Sequence, residues 1–230
     1  MRARDQLTEW QRADFDLVTI VDQRYPLRLK RIQQCPPLLF VQGGLCADEL
    51  GVSVVGSRRA SVGGQRMAAD IARGLVERGF SVVSGLAAGI DTAAHEATLA
   101  AGGRPIGVLG TGIHMVYPQE NRALHDRVAA VGALVSQFLP DAPPDKHALR
   151  MRNATISGLA TASVIVEAGE HSGSRILARR SVEHRRPLIL TDVAASTRWG
   201  AALRGRRGVY VAHSAAAVLD IVDDVVGVGD

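Results

Sequence analysis

Four short turns rich in glycine and serine could hold phosphate groups, and each follows a run of apolar residues. Glycine lets backbone amides approach a ligand closely, and serine hydroxyls add further donors. In the first turn Arg58 directly follows the Gly-Ser pair, and a guanidinium there can bind a phosphate through two parallel hydrogen bonds. We therefore predict a phosphate-binding rim. The turns are Gly56-Ser57-Arg58, Ser84-Gly85, Gly110-Thr111-Gly112 and Ser172-Gly173-Ser174.

The apolar runs before these turns predict strands that are covered on both faces, because their apolar character is nearly continuous. Segments with helical periodicity alternate with them, and Gly79 is placed to end the first helix. This alternation predicts an α/β fold with a doubly wound, mostly parallel, extended Rossmann-like sheet. The turns would then meet at the carboxyl edge, where open α/β sheets bind ligands. Predicted strands cover residues 52–55, 81–83, 106–109, 133–135, 163–166, 187–190 and 208–211, and predicted helices cover 68–75, 92–101, 120–130, 174–184 and 215–222.

The first 45 residues break this rhythm, and their Tyr25-Pro26 and Pro36-Pro37 pairs indicate irregular structure. We predict one domain, in which residues 1–45 form an N-terminal extension packed on a Rossmann-like core of residues 46–230. A chain of 230 residues with 47% hydrophobic content is long enough for one such core.

The composition indicates where the protein is located more clearly than what it does. The formal net charge of +4 permits a polyanionic partner without requiring one. No stretch approaches the roughly 20 apolar residues that span a bilayer, and the N-terminus carries scattered charges. The two cysteines form no CxxC pair, so we predict no metal site. Together these features predict a cytoplasmic protein without a membrane segment.

The turns do not match the common nucleotide-binding motifs. The first reads GSRRAS instead of GxGxxG, and Gly110-Thr111-Gly112 lacks the third glycine. A GxxxxGK[ST] loop is also absent from the sequence. We therefore expect neither a nicotinamide cofactor nor P-loop chemistry, and predict no cofactor.

A basic segment points to a polyanion independently of the turns. Nine arginines lie between residues 171 and 207, against the acids Glu183 and Asp192. Phosphate contacts of this kind supply most of the sequence-independent affinity for nucleic acid. A solvated helix face or a subunit contact would explain the distal arginines equally simply. Tyr117 and Phe138 could stack on bases, although structural packing is an equal alternative for both.

Acid–base catalysis could use Asp91 and His95, which lie four residues apart. Because Asp91 follows a glycine turn, the sequence instead favours a helix N-cap at this position. Glu167 ends a strand near the last turn, where a carboxylate could attack or stabilise a sugar carbon. We predict no catalytic residue, and keep Glu167 for the alternative below.

Several motifs in fixed order give the sequence a recognisable pattern. They are VVGSRRAS from Val54, SGLAAGIDTAAH from Ser84, VLGTGIHMVYPQEN from Val108 and RNATISGL from Arg152. Together with Pro36-Pro37-Leu38 and Gly43, they resemble the DprA/Smf family of DNA-processing proteins over residues 20 to 185. The resemblance implies a homodimer that binds single-stranded DNA and assists loading of a RecA-type recombinase during uptake of DNA.

The resemblance also marks individual binding residues. Where the family has a third basic residue after Arg152 and Asn153, this chain has Ala154, although Arg150 could partly replace it. We expect the family's flanking N-terminal helical module and C-terminal winged helix to be absent, because this chain leaves no room for them. The implied nucleic-acid-binding residues are Gly56, Ser57, Arg58, Ser84, Gly85, Gly89, Tyr117, Asn121, Arg152, Asn153, Ser172, Gly173, Ser174 and Arg175.

Two other functions remain open at this point. The same strand-end pocket could hold a free nucleotide, either sensed or cleaved at its glycosidic bond as in the distantly similar LOG-type phosphoribohydrolases. The PGGxGTxxE motif of those hydrolases is replaced here by EAGEHSGSR from Glu167. The chain could also be a structural or partner-recruiting module without nucleic-acid affinity.

Overall fold

The computed structural model describes residues 3–10 and 12–227. The strands of this part of the chain form one sheet in the order β1-β2-β6-β5-β4-β3-β7-β8-β9. They are β1 Asp16–Thr19, β2 Leu38–Gly43, β3 Gly51–Val55, β4 Ser81–Ser84, β5 Pro105–Val108, β6 Ala133–Ser136, β7 Ala162–Ile165, β8 Leu188–Thr191 and β9 Val209–Ala212.

The helices follow the strands in the alternation that the sequence predicts. They are α1 Ala3–Trp10, α2 Val62–Glu77, α3 Ile90–Ala100, α4 Arg122–Val131, α5 Lys146–Leu159, α6 Ser174–Glu183, α7 Asp192–Ala195, α8 Arg198–Ala201 and α9 Ala215–Val226. Short 3-10 turns occupy Leu29–Arg31 and Gln119–Asn121. None of these helices is long and apolar enough to cross a membrane.

The chain order reverses direction in the middle of the sheet. From β3 the parallel strands run outward to β6, and β7 then returns to the other side of β3 and continues to β9. Such a reversal leaves a crevice outside the carboxyl ends of the two central strands. The predicted doubly wound, mostly parallel sheet is therefore confirmed, and its switch point lies between β3 and β7.

The central strands are buried on both faces, as their continuous apolar sequences predict. Val52 and Val54 of β3 pack with α2, α3 and α9, while Val55 belongs to the opposite core, which includes residues of α5 and α6. The same alternation places Val164 and Ile165 of β7 in different cores. Parallel strands covered on both sides hold their carboxyl ends at fixed positions, which a binding site requires.

The N-terminal segment contributes more than the sequence predicts. Its strand β2 pairs antiparallel with β6, Val41 lying opposite Val135, and β1 pairs antiparallel with β2. The rings of Phe15 and Phe40 meet edge to face at 5.4 Å within a shared core cluster. Strands β1 and β2 of the N-terminal segment therefore extend the sheet itself. The two strands are missed because they are short and separated by an irregular, proline-containing stretch.

Helix α5 is also missing from the sequence prediction. Asp145 caps it by accepting the amides of His147 and Ala148, and every residue from 152 to 159 is buried. Arg152, Asn153 and six following residues fill both sides of its second half, so polar residues occupy buried positions. That pattern hides the helical period on which sequence-based recognition depends.

Candidate nucleic-acid interface

The turn after β3 is locked against two other segments. A Cβ on Gly56 would lie 2.5 Å from Cγ1 of Ile90 and 2.7 Å from the carbonyl oxygen of Glu167, so a side chain cannot fit there. The amide of Ser57 donates to that same Glu167 oxygen at 2.6 Å. The turn is therefore held in place before any ligand binds.

The second turn packs directly on the first. Gly89 has a φ of +80°, and a Cβ at this position would lie about 2.3 Å from the carbonyl oxygen of Ser57. Only glycine satisfies both the positive φ and the close approach. The amide of Ile90 then donates to the Ser57 oxygen at 3.2 Å, which joins the start of α3 to the β3 turn.

Asp91 gathers backbone amides from both turns. Its carboxylate accepts the N–H of Gly85 at 3.1 Å, and those of Gly56 and Ala87 at 3.4 Å. The predicted N-cap role is wrong, because α3 begins at Ile90 and its N-cap is Gly89. Burial raises the pKa of the Asp91 carboxyl, while Arg152 and the three amides oppose that shift.

Arg152 lies beneath these turns and is only 6% exposed. Its guanidinium donates to the carbonyl oxygens of Gly85 at 2.7 Å and Val108 at 2.6 Å, which ties the ends of β4 and β5 together. Burial lowers the pKa of Arg152, and the neighbouring Asp91 counteracts this. The side chain also lines the cavity described below, so its positive charge forms part of the cavity floor.

The turn before α6 brings the N-terminus of that helix to the same place. Ser174 donates its hydroxyl to the Gly56 oxygen at 3.0 Å, and Asn153 donates its amide to the Gly173 oxygen at 3.2 Å. The N-cap residue is Gly173, which provides no side-chain cap. The first amides of α6 are nevertheless engaged locally, since that of Ser174 donates to the Ser172 hydroxyl and those of Arg175 and Ile176 donate to the Ser172 and Gly173 oxygens. The ten-residue helix therefore contributes the positive end of its dipole to the site.

These elements surround a cavity of about 690 Å³ outside the carboxyl ends of β3 and β7. This is the switch point of the sheet, where the chain topology leaves a crevice. Asp91 and Glu170 are the acidic residues of its lining, and the Glu170 carboxylate accepts the amide of Arg198 at 2.7 Å. Exposed cations outnumber these acids, so the cavity suits an anion. They are Arg58, Arg59, Lys146, Arg150 and Arg175.

Nine of the fourteen predicted binding residues line the cavity, and five do not. Ser84 is buried and donates to the Val54 oxygen at 2.7 Å, while the Asn121 amide donates to the Leu86 oxygen at 2.8 Å. Gly85 and Gly89 lie behind the wall, in the contacts with Asp91 and Ser57. The nine are Gly56, Ser57, Arg58, Arg152, Asn153, Ser172, Gly173, Ser174 and Arg175.

Tyr117 lies just outside the cavity next to Arg58. Its side chain is 39% exposed, and the Arg58 Cζ atom lies 5.7 Å from its ring centroid. The Arg58 Nη1 atom also donates to the Tyr117 hydroxyl at 3.4 Å. An exposed ring held beside a cation is a geometry on which a nucleobase can stack.

Two of the four predicted turns line the cavity, and helix α5 forms another part of its wall. The turn at 110–112 is covered, since a Cβ on Gly112 would lie about 2.1 Å from the Pro140 oxygen. Lys146 and Arg150, four residues apart on α5, take part in the wall instead. Asp145 followed by basic residues at a helical spacing is the sequence signal that could have identified them.

The basic segment after residue 171 is divided between two ends of the molecule. Arg175 lines the cavity, whereas Gly208, next to three of the arginines, accepts the amide of Leu188 at the start of β8 through its carbonyl oxygen. Arg179 and Arg180 pair with Glu183. One continuous track along all nine arginines is therefore not present in the described structure.

Glu167 is engaged away from the cavity. Its carboxylate accepts the hydroxyl of Ser61 at 2.7 Å and the Ser61 amide at 3.2 Å, at the start of α2. The residue is also absent from the described cavity lining. No group of three or more His, Cys, Asp and Glu side chains within the described ranges could hold a metal ion.

With this geometry established, comparison with known proteins identifies the family. A family model described as DNA recombination-mediator protein A matches residues 16–225. The chain belongs to this family. The DprA/Smf resemblance predicted from the motifs is thereby confirmed.

Curated DprA/Smf relatives are longer than this chain. Protein Smf of Synechocystis sp. is 38% identical over 188 residues, which are 80% of this chain and 47% of the relative. The DprA proteins of Bacillus subtilis and Streptococcus pneumoniae are 34% and 39% identical, over 80% and 76% of this chain. In both cases the match covers 62% of the relative, so the chain spans about half to three fifths of these proteins.

Solved structures agree with this assignment. The X-ray structure of DprA from S. pneumoniae superposes with a TM-score of 0.83 at 33% identity, covering 96% of this chain and 78% of that one. DprA from Helicobacter pylori, whose structure is described as revealing a unique mode of single-stranded DNA binding, gives 0.78 at 22% identity, covering 92% and 98%. A molybdenum cofactor carrier protein from Chlamydomonas reinhardtii gives 0.58 at 16% identity, covering 77% and 98%. The last two likenesses show the fold alone.

Proposed function

We propose that this DprA/Smf chain binds single-stranded DNA through its phosphates in the cavity at the switch point, and acts in DNA processing during recombination. One observation carries the proposal: five exposed cations, the buried Arg152 and the positive end of the α6 dipole converge on one cavity. Family membership supports DNA as the source of the phosphates.

Each group has a defined part in this proposal. Arg58, Arg150 and Arg175 contact phosphate oxygens from three sides, and the positive end of the α6 dipole favours an anion beside them. Arg152 and Asp91 keep the turns in position without leaving the interior. Such contacts read the backbone and leave base sequence largely unread.

Preference for a single strand follows from the exposed Tyr117 ring. Unpaired bases can stack on an aromatic side chain, whereas paired bases have both faces covered by their neighbours in the duplex. Because Tyr117 adjoins Arg58, one nucleotide can place its phosphate at the cation and its base on the ring.

We propose binding without catalysis. Glycosidic hydrolysis would need Glu167 as a free carboxylate, yet its oxygens accept hydrogen bonds from Ser61. A cavity of about 690 Å³ is nevertheless large enough for a free nucleotide, which keeps nucleotide sensing as the second candidate. Release of free base by wild type, lost in Glu167→Gln with ligand binding unchanged, would establish the hydrolase and overturn binding without catalysis.

Dimerisation and recombinase contact are further parts of the proposal, and both come from the family resemblance. Two chains would align two cavities, and the second contact would then form at a high effective concentration. Sedimentation of the free protein tests the first part: a monomer with full DNA affinity would remove dimerisation from the mechanism. Recombinase contact is tested by pull-down with purified RecA-type protein in the presence of single-stranded DNA.

Fluorescence anisotropy tests the main proposal. Labelled single-stranded and duplex oligonucleotides are titrated at two salt concentrations with wild type, Arg58→Gln and the control Arg73→Gln, whose residue pairs with Asp70 on α2. We expect single strands to bind more tightly, and Arg58→Gln to weaken binding and to reduce the salt slope by about 1. A mononucleotide that binds tightly, together with no oligonucleotide binding at low salt, would favour the second candidate.

A further inference from the structure

A second group of cations lies at the opposite end of α6. Arg28 and Arg31 of the N-terminal segment meet Arg185 and Arg186, which follow the helix, and we call these four the amino-edge arginines. The Arg186 Nη2 atom donates to the Arg28 carbonyl oxygen at 3.2 Å, which joins the two segments. Beside them is a cavity of about 370 Å³, whose lining includes Arg31, Gln33, Gln34, Glu183, His184 and Arg185.

The amino-edge arginines have no acidic partner of their own. In the described part of the chain, none of the four has a carboxylate oxygen within 4.0 Å, the limit within which the ion pairs of Arg179 and Arg180 with Glu183 fall. Glu183, the acid beside the cavity, is thus already paired. Asp48 acts on Arg28 through its charge, and Glu183 is already paired, so the four guanidinium groups still leave a net positive site that an anion would neutralise.

Part of this positive charge is buried. The Nε atom of Arg186 is buried without a hydrogen-bond partner among the described residues. Burial and the charges of Arg28 and Arg31 lower the pKa of Arg186. Burial and Arg31 lower the pKa of Arg28, and the charge of Asp48 opposes that shift. Like charges placed this close cost folding energy, and a bound anion would recover it.

The backbone conformation of Arg185 is a second, independent feature. Its φ is +56°, in the left-handed position that follows a helix and usually holds glycine. The turn is completed by the amide of Arg186, which donates to the Ser181 oxygen at 2.8 Å. Arginine is strained in this conformation, and here it adds a cation to the wall of the cavity.

Helix α6 links this group to the main cavity. Arg175 in its first turn lines the main cavity, and the amino-edge arginines follow its last turn. Ten residues span about 15 Å, and the exposed Arg179 lies between the two ends. A flexible polyanion held at one end can therefore reach the other.

We propose that the amino-edge arginines form a second phosphate-binding site, which takes a phosphodiester of the same DNA strand after it leaves the main cavity along α6. Guanidinium groups match phosphate oxygens in geometry, and the two sites together lengthen the bound strand. This inference rests on the proposed function of the main cavity.

The length of the oligonucleotide separates the two sites. Wild type and the double variant Arg31→Gln/Arg185→Gly are titrated by anisotropy with single strands of about 6 and about 20 nucleotides, which bracket a typical single-strand site size. The control is Arg73→Gln/Arg127→Gln, which removes the same charge from residues paired with Asp70 and Glu96. Because glycine adopts φ +56° without strain, Arg185→Gly alone is expected to raise Tm, so lost affinity cannot reflect unfolding.

For the long strand, we expect the double variant to bind about tenfold more weakly, with a salt slope smaller by about 2. For the short strand and for the control, affinities close to wild type are expected. Equal affinity of variant and wild type for the long strand, or an equal loss for both lengths, would overturn the second site alone. Absence of any wild-type binding would overturn the main proposal and the second site with it. If wild type binds an octaglutamate peptide and the double variant does not, while DNA binding is unchanged, the amino-edge arginines would be a site for an acidic protein and not for a phosphodiester.

Discussion

At the scale of single residues, the buried pair of Asp91 and Arg152 determines how the strand ends are held together. Asp91 accepts amides from both turns beside β3 and β4, and Arg152 donates to carbonyls at the ends of β4 and β5. The charges compensate each other in an interior where neither would be stable alone. The shape of the binding cavity therefore depends on residues that a strand of DNA scarcely touches.

Replacing Arg152 by Met is expected to lower the free energy of unfolding by about 3–5 kcal/mol, because the Asp91 charge would remain buried without its partner. Urea denaturation followed by circular dichroism measures this. The double variant Arg152→Met/Asp91→Asn should recover part of the loss, which identifies the charge as the cause. A cost below 1 kcal/mol for Arg152→Met would contradict the assigned role.

The fully buried His95 gives the protein an acid sensitivity. Burial lowers its pKa from the ordinary 6.5 to about 4, so the unfolded chain binds this proton more readily than the folded one. The free energy of unfolding should therefore fall by about 3 kcal/mol as the pH drops from 6.5 to 4. Burial lowers the pKa of His125 and His184 as well, and these residues act in the same direction.

Denaturation of His95→Gln across this pH range isolates the contribution of His95. The variant should show a shallower decline than wild type, by about the amount assigned to His95. Parallel pH profiles for the two proteins would show that His95 does not take part in acid unfolding.

At the scale of elements, the start of α2 is fixed by a contact between distant parts of the chain. Ser61 caps the helix by accepting the Gly64 amide at 2.9 Å and donates its hydroxyl to Glu167 after β7. The cap thus joins β3 and β7 next to the switch point. A helix N-cap and a strand end act here as one unit.

Because of this contact, we expect Ser61→Asp to destabilise the protein. Aspartate normally caps a helix about as well as serine, but here its carboxylate would lie beside that of Glu167. We expect a loss of about 1 kcal/mol in thermal or urea unfolding. The matched control is Ser214→Asp at the start of α9, where Ser214 accepts the Ala217 amide and the change should be nearly neutral. Equal effects at the two caps would rule out the Glu167 contact as the cause.

At the scale of the whole molecule, the N-terminal strands make the core and its extension one structure. Buried side chains of residues 1–45 include Tyr25, Leu29, Leu39 and Phe40, which join the same core clusters as β5, β6 and α5. The β2–β6 pairing also covers an edge that would otherwise expose unpaired backbone groups. The core is thus completed by its N-terminal segment.

A chain that begins at residue 46 is therefore expected to lose its cooperative fold. Each large buried side chain is worth about 2–5 kcal/mol, and four of them approach or exceed the 5–15 kcal/mol of a typical domain. Calorimetry should give one cooperative transition for the full chain and none for the shortened one, with increased binding of a hydrophobic dye. A shortened chain that unfolds cooperatively with a similar Tm would establish residues 46–230 as independently stable.

The sequence by itself determined the seven parallel strands, the helices between most of them and the positions of the turns. These features depend on local patterns: continuous apolar runs, the period around Ala68 and Leu75, and glycines such as Gly79 with its φ of +76°. The family motifs could likewise be recognised in the sequence, because they consist of short contiguous segments such as VVGSRRAS from Val54.

The tertiary structure decided which of those residues face the cavity. Arg152 and Asn121 are polar in sequence and buried in the fold, since burial depends on what packs around a residue and not on its type. Lys146 and Arg150 entered the site because α5 forms part of its wall, and the arginines after residue 171 were divided between the main cavity and the opposite end of the molecule. Both outcomes arise from contacts between segments far apart in the chain, which a local pattern does not encode.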